Sequence, residues 1–382
     1  MSATDPLVRL RHELHAHPEL AHEERVTAAR IADLLRSLGP DDVVTGVGGT
    51  GVVATFRSSE PGPTLLLRSE LDALPIHEVV DGPAVAAYAS TVDGVSHKCG
   101  HDGHMAIVAG VAMRLADRRP DRGTVHLLFQ PAEETGTGAA AMLSDPAFER
   151  FRPDAGVALH NMPGHPRHTV VVRPGSMTAA VRSVVIRYAG RTAHASEPEH
   201  GANPSLAVAD LLRECAALEV CDPRSADFRS VTPVHVRVGA VAYGVAPGDG
   251  EVHLTMRTWR NDDLDRLHTA IDDSARRLGD RDGLAVEVEV VEEFAANEND
   301  AELTATVRRA AVDAGLDVID ADVGMRAGED FGLFGRRFPC CMVLLGAGED
   351  HPPIHDPAYD FPDELIATGV TLLTGVVRTV CG

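Results

Sequence analysis

The chain has 382 residues, and its 57 acidic against 35 basic side chains give a net charge of −22 with histidine neutral. A surface this acidic, with no basic run, excludes nucleic acid and anionic membrane as partners gathered by long-range charge. Apolar content of 44% and charged content of 24% belong to a folded chain of two or three units with ample core, and no stretch approaches the roughly 18 apolar residues that span a bilayer.

The first twenty residues, MSATDPLVRLRHELHAHPEL, lack the basic start, apolar run and small-residue site of an export signal, so a cytoplasmic location is predicted. In that reducing compartment the six cysteines read as small buried hydrophobes rather than a disulfide framework. Lys98 is the only lysine in the chain, which reads as a compositional bias toward arginine.

Next, EERVTAARIADLLRSLG places Val26, Ile31, Leu34, Leu35 and Leu38 near helical spacing and stops on Gly39. Strand-like runs follow at 51–56 and 64–69, a helix at 104–118, and strands at 124–130, 155–160 and, far downstream, 341–346. This alternation predicts an α/β fold: a mostly parallel sheet with helices on both faces. From about residue 182 the order becomes strand, helix, strand, strand, helix, strand. That is the split βαββαβ unit of ferredoxin-like domains, predicted as an insertion over 180–292 that divides the larger domain into 1–179 and 293–382.

In open α/β sheets ligands bind beyond the carboxyl ends of strands, which directs attention to the polar residues there. Asp72 follows the run at 64–69, and the pair Glu133 and Glu134 follows 124–130. His160 ends the run at 155–160, and 341–346 leads on to His355. Cys99 and His101 lie in the glycine-bearing segment HKCGHDGH just before a helix. Thiolate, imidazole and carboxylate are the ordinary ligands of zinc and similar divalent ions. Any one of these residues alone reads as a buried thiol, a core histidine or an acidic helix start. Their joint placement at strand ends favours a metal site, because two adjacent buried acids need a cation to offset them.

The runs RSELDALPIHE, HKCGHDGH, LLFQPAEETGTGA, GVALHNMP, GRTAHASEPEHGANP, AGEDFGLF and PPIHDPAYDFPDE occur in this order across nearly the whole chain. Together they resemble the M20 metallopeptidase family, and within it the amidohydrolase branch that acts on N-acyl amino acids, hippurate and auxin conjugates. The resemblance implies a zinc-peptidase-like domain carrying a smaller inserted lid and dimerisation domain, and hence a homodimer. It implies that Cys99, His101, Glu134, His160 and His355 ligate two divalent metals, with Glu133 as general base and Asp72 as an orienting acid. It further implies that His194 helps bind the oxyanion. Arg257, on EVHLTMRTWR, is a candidate clamp for a substrate carboxylate.

Thiolate and imidazole favour zinc on softness, while carboxylate ligands admit manganese, cobalt or nickel. The expected reaction is hydrolysis of N-acyl amino acids by a metal-activated water. The alternatives are a di- or aminopeptidase of the same family and a catalytically inactive binding relative. Three departures from the branch pattern stand out. Glu70 occupies a position usually held by aspartate, Gly244-Val245-Ala246-Pro247 replaces the usual N-V-I-P, and Thr135-Gly136-Thr137-Gly138 stands where a glycine-rich run usually follows the glutamate pair.

Overall fold

The computed structural model describes residues 5–80 and 82–382, without the side chains of residues 83 and 84. The chain forms two compact units, one of 1–177, 297–322 and 329–382, the other of 178–296 and 323–328. In chain order the first unit begins with α1 (Pro6–Ala16), α2 (Arg25–Ser37), β1 (Asp42–Val47), β2 (Gly51–Arg57) and β3 (Thr64–Glu70). It continues with α3 (His101–Asp117), β4 (Thr124–Gln130), α4 (Gly138–Ser144), β5 (Ala155–Pro163) and β6 (Val170–Val172). The second unit supplies β7 (Ala180–Ala189), α5 (Ser205–Leu218), β8 (Arg229–Val238), β9 (Asp249–Thr258), α6 (Asn261–Asp282) and β10 (Ala285–Phe294). The chain then returns to the first unit through α7 (Ala301–Asp313), β11 (Val318–Asp320), β12 (Cys340–Gly348) and α8 (Leu365–Cys381).

The first unit holds an eight-stranded sheet in the order β1-β2-β4-β3-β5-β12-β6-β11. Its centre, β4-β3-β5-β12, is parallel, as the strand and helix alternation predicts. The pairs β1-β2, β2-β4 and β12-β6 are antiparallel, since β1 and β2 are joined by a short turn with no helix to return the chain. Successive central residues serve opposite faces: Leu65 and Leu67 pack under α1, α3 and α8, while Leu66, Leu128 and Met342 meet Phe148, Phe331 and Phe334. Burial on both faces explains why these strands read as continuous apolar runs.

Two predicted elements shift. In α2 the buried stripe is Ala28, Ile31, Ala32 and Leu35, and Val26 is exposed, because the 3.6-residue period set by Ile31 turns it outward. Helix α3 starts at His101, three residues earlier than its apolar run suggests, with Gly100 at φ 94 as its N-cap.

The second unit is the predicted βαββαβ unit, an antiparallel sheet in the order β8-β9-β7-β10. Helices α5 and α6 cover the face of Val252, Leu254 and Met256, leaving the other face to Arg187, Glu251, His253 and Glu289. Residues 323–328 join this unit through Met325, whose carbonyl accepts from Ala179 N at 2.9 Å. Among the described residues no helix is long and apolar enough to cross a membrane, and all six cysteines are free.

Candidate metal and catalytic site

The carboxyl ends of β3, β4 and β5 and the start of α3 bring six of the predicted residues together in the first unit. Leaving β4, the chain turns at Ala132, whose φ of 51 is the left-handed conformation and costs an alanine about 1 kcal/mol or more. The buried Glu24 carboxylate holds this turn by accepting from Ala132 N at 2.7 Å. The turn presents Glu133 and Glu134 side by side. Gly100, between Cys99 and His101, has no room for a side chain, as a Cβ there would lie 2.2 Å from Asn161 Oδ1.

The ligand-capable atoms fall into overlapping groups, Cys99 with His101 and His160, Cys99 with Glu134 and His355, and His101 with Glu133 and Glu134. Within each group they lie inside 4.8 Å of one another. Cys99 Sγ is 3.3 Å from His160 Nε2, and His101 Nε2 is 3.8 Å from both Glu133 Oε2 and Glu134 Oε1. His355 Nε2 is 3.6 Å from Glu134 Oε2. His101 Nδ1 donates to the Asp72 carbonyl at 2.8 Å, and His160 Nδ1 donates to the Asn161 carbonyl at 2.7 Å. Each bond holds a proton on Nδ1 and turns Nε2 into the cluster, the orientation that metal-binding imidazoles need. Asp72 Oδ2 accepts from Glu134 N at 3.0 Å, tying the base of the cluster to the acidic turn.

The residues fit divalent ions on two counts. His101 Nε2 and Glu134 Oε1 are buried with no hydrogen-bond partner, an arrangement that costs free energy unless something charged satisfies them. The electrostatics ask for positive charge. Burial pushes the Glu133 carboxyl well up, reinforced by Glu329, Glu134 and Asp330. Burial likewise raises Glu134 to about 7 against the pull of His101. Burial, then Glu134 and Glu133, hold the Cys99 thiol well above its usual range, so a thiolate there requires a neighbouring cation. His101 is lifted to about 10, burial being outweighed by Asp72, Glu70 and Glu134. His160, lowered to about 3 by burial, stays neutral and free to ligate.

Around this cluster lie charges whose roles local spacing does not reveal. Arg68, fully buried, donates to Gln130 at 3.0 Å, to Glu329 at 2.9 Å, to Asp330 at 2.8 Å and, more closely still, to Glu70. Glu70 in turn bonds His104 Nδ1 at 2.6 Å, and His104 Nε2 accepts from Asn161 N at 3.1 Å, beside His160. The carboxylate pair of AGEDFGLF was the available signal, for buried adjacent acids need a buried cation.

The remaining predicted residues lie in the second unit. His194 is exposed on a two-residue strand with Ala193, pairing with Val245 and Ala246, and its Nδ1 bonds Ser196 Oγ at 2.7 Å. Arg257 is partly buried on β9 and donates to the Arg326 carbonyl at 2.7 Å.

Residues 66–379 match peptidase family M20/M25/M40, and the chain belongs to that family. It is 30% identical over 94% of its length to the N-acetylcysteine deacetylase of Bacillus subtilis, covering 93% of that protein. Identity to the hippurate hydrolase of Campylobacter jejuni is 29%, over 94% of this chain and 92% of the other. A Bacillus subtilis dinuclear metal-binding peptidase of the M20 family superimposes with a TM-score of 0.83 at 26% identity, spanning 98% of this chain and 97% of that one.

Proposed function

We propose that the protein is a metal-dependent amidohydrolase that cleaves the amide bond of N-acyl amino acids, carrying acetyl, benzoyl or similar acyl groups. The observation that carries this reading is the set of buried Cys99, His101 and His160 with partly buried Glu134 and half-exposed His355 at its edge, gathered around acids that need a cation. These five residues hold two divalent ions, with zinc favoured by the thiolate and imidazole donors and manganese, cobalt or nickel acceptable to the carboxylate. Divalent ions supply a concentrated positive charge that acidifies water and polarises a carbonyl oxygen.

The chain's own groups perform the proton transfers. Glu133, next to Glu134 but without a hydrogen bond of its own to fix its proton, takes the proton of the attacking water and passes it to the leaving amine. Its raised affinity for protons suits it to both halves of that exchange. Asp72 orients His101 and Glu134, so it acts through them rather than on the substrate. His194 stabilises the developing oxyanion, and Arg257 clamps the substrate carboxylate by paired hydrogen bonds.

In this reading residues 1–179 and 293–382 form the catalytic domain, and 180–292 form a lid through which two copies pair. The edge strand β8 supports pairing, because its Val234 and Val236 are exposed along an unpaired edge, as are Val241 and Tyr243 just beyond it. Six free thiols accord with a cytoplasmic setting. The N-acyl substrate class draws support from the deacetylase and hippurate hydrolase relatives.

The test is hydrolysis of a panel of N-acetyl and benzoyl amino acids beside unblocked dipeptides. Chelated enzyme should be inactive, regain activity with zinc, manganese or cobalt, and prefer the acylated substrates. Preference for free amino termini would replace this reading with the peptidase one. No metal-dependent hydrolysis of either class would leave a binding protein.

A further inference from the structure

Lys98 is the one lysine among 35 basic residues, and it is 1% exposed. Its Nζ donates to Glu78 Oε1 at 2.6 Å and to the Tyr359 carbonyl at 2.7 Å, while its own carbonyl accepts from His355 N at 2.7 Å. One residue thus grips the segment 355–359 at both ends, its main chain at His355 and its ammonium at Tyr359. That segment needs a grip. His355 sits at φ 67, a left-handed conformation uncommon for a residue with a side chain, and that side chain is 48% exposed. The neighbouring residue of Lys98 is Cys99, so the same clamp ties the thiol's loop to the histidine's.

We infer that Lys98 is a positioning residue that holds His355 in place to ligate metal, and that a compact ammonium is what the position requires. This rests on the reading of His355 as a ligand. The ammonium reaches two acceptors from one nitrogen inside a closed space, whereas the planar guanidinium found at every other basic position in the chain spreads its donors over a fork. The isolated lysine in an arginine-rich chain is therefore a local requirement rather than a leftover of composition. Removing it leaves Glu78 with its bonds from His15 at 2.7 Å and Ser90 N at 2.7 Å, so the pocket keeps a paired carboxylate.

The experiment is titration of metal-free full-length protein with Co2+, read by absorbance and calorimetry, for wild type, Lys98→Met, Lys98→Arg, Glu78→Gln and His355→Ala. Wild type should bind two ions per chain, and His355→Ala should lose or greatly weaken one of them. Both Lys98 variants should weaken that same ion about tenfold or more, the scale of outer-shell effects, and leave the other within threefold, with the thiolate charge-transfer band intact. Wild-type affinities in Lys98→Met, or full rescue by Lys98→Arg, would overturn the inference. If neither Lys98 variant folds, Glu78→Gln decides: it should weaken the same ion, and unchanged binding would overturn the inference. A wild type that does not take two ions, or a His355→Ala variant that binds as wild type does, would instead refute the ligand assignment.

Discussion

Arg68 is a single buried cation facing Glu70, Glu329 and Asp330, with Glu133 beyond them. Breaking a buried ion pair by removing one partner strands the others, so Arg68→Met should cost about 3–5 kcal/mol in urea unfolding at neutral pH. A cost below about 1 kcal/mol would show that the acids are already protonated. Gly100 is a second point where one atom matters. Its φ of 94 and the 2.2 Å approach to Asn161 Oδ1 mean that Gly100→Ala must push the Asn161 amide aside or shift the backbone that carries Cys99 and His101. That variant should fold yet bind Co2+ at least tenfold more weakly, as calorimetry would register. For Arg257, replacement by alanine should raise KM for N-acyl amino acids far more than for their amides; equal effects on the two would remove it from the substrate site. The gathering of thiol, imidazole and paired acids was legible in the sequence because these types are rare together at strand ends. The roles of Arg68, Glu70, His104 and Lys98 were not. Each depends on partners distant in the chain, such as Glu329 for Arg68 and Tyr359 for Lys98, and no local spacing records them.

The elements divide along similar lines. Strands β3, β4, β5 and β12 were plain from their apolar runs, because both faces of the central sheet are buried. The antiparallel flank β1-β2-β4 was hidden, since a strand's burial pattern says nothing of its neighbour's direction. The start of α3 was masked by Gly103 and the polar run before it. In the fold Gly103 is needed for close approach, as a Cβ there would fall 2.3 Å from the Phe361 ring. The packing of α3 on α8 offers a test at this scale. A Cβ on Gly369 would come within 2.9 Å of three carbons of Ile107, a β-branched side chain with little freedom at χ1. Gly369→Ala should therefore destabilise by about 1–3 kcal/mol despite the better helix propensity of alanine, as measured by denaturant unfolding. A gain in stability would mean that the two helices separate easily.

For the molecule as a whole, a net charge of −22 describes the surface, while the site concentrates its own acids where a cation is needed. This sets a pH dependence with a definite sign. Burial raises Glu133 and Glu134 above the unfolded carboxyl value near 4.3, Glu134 to about 7, so the metal-free fold prefers them protonated. Metal-free stability should fall as pH rises from about 4.3 through 7, and the metal-loaded protein should escape that fall. The gap in Tm between the two forms should widen from pH 5 to pH 8; a constant gap would contradict the charge balance described for the site. In the proposed mechanism Glu133 moves the proton while its neighbours hold the metal. Its most direct test is Glu133→Gln, with metal content and N-acyl amino acid hydrolysis measured on the same sample. Expected are two ions per chain and a turnover reduced about a thousandfold or more. Near-normal turnover, or loss of both ions, would contradict it.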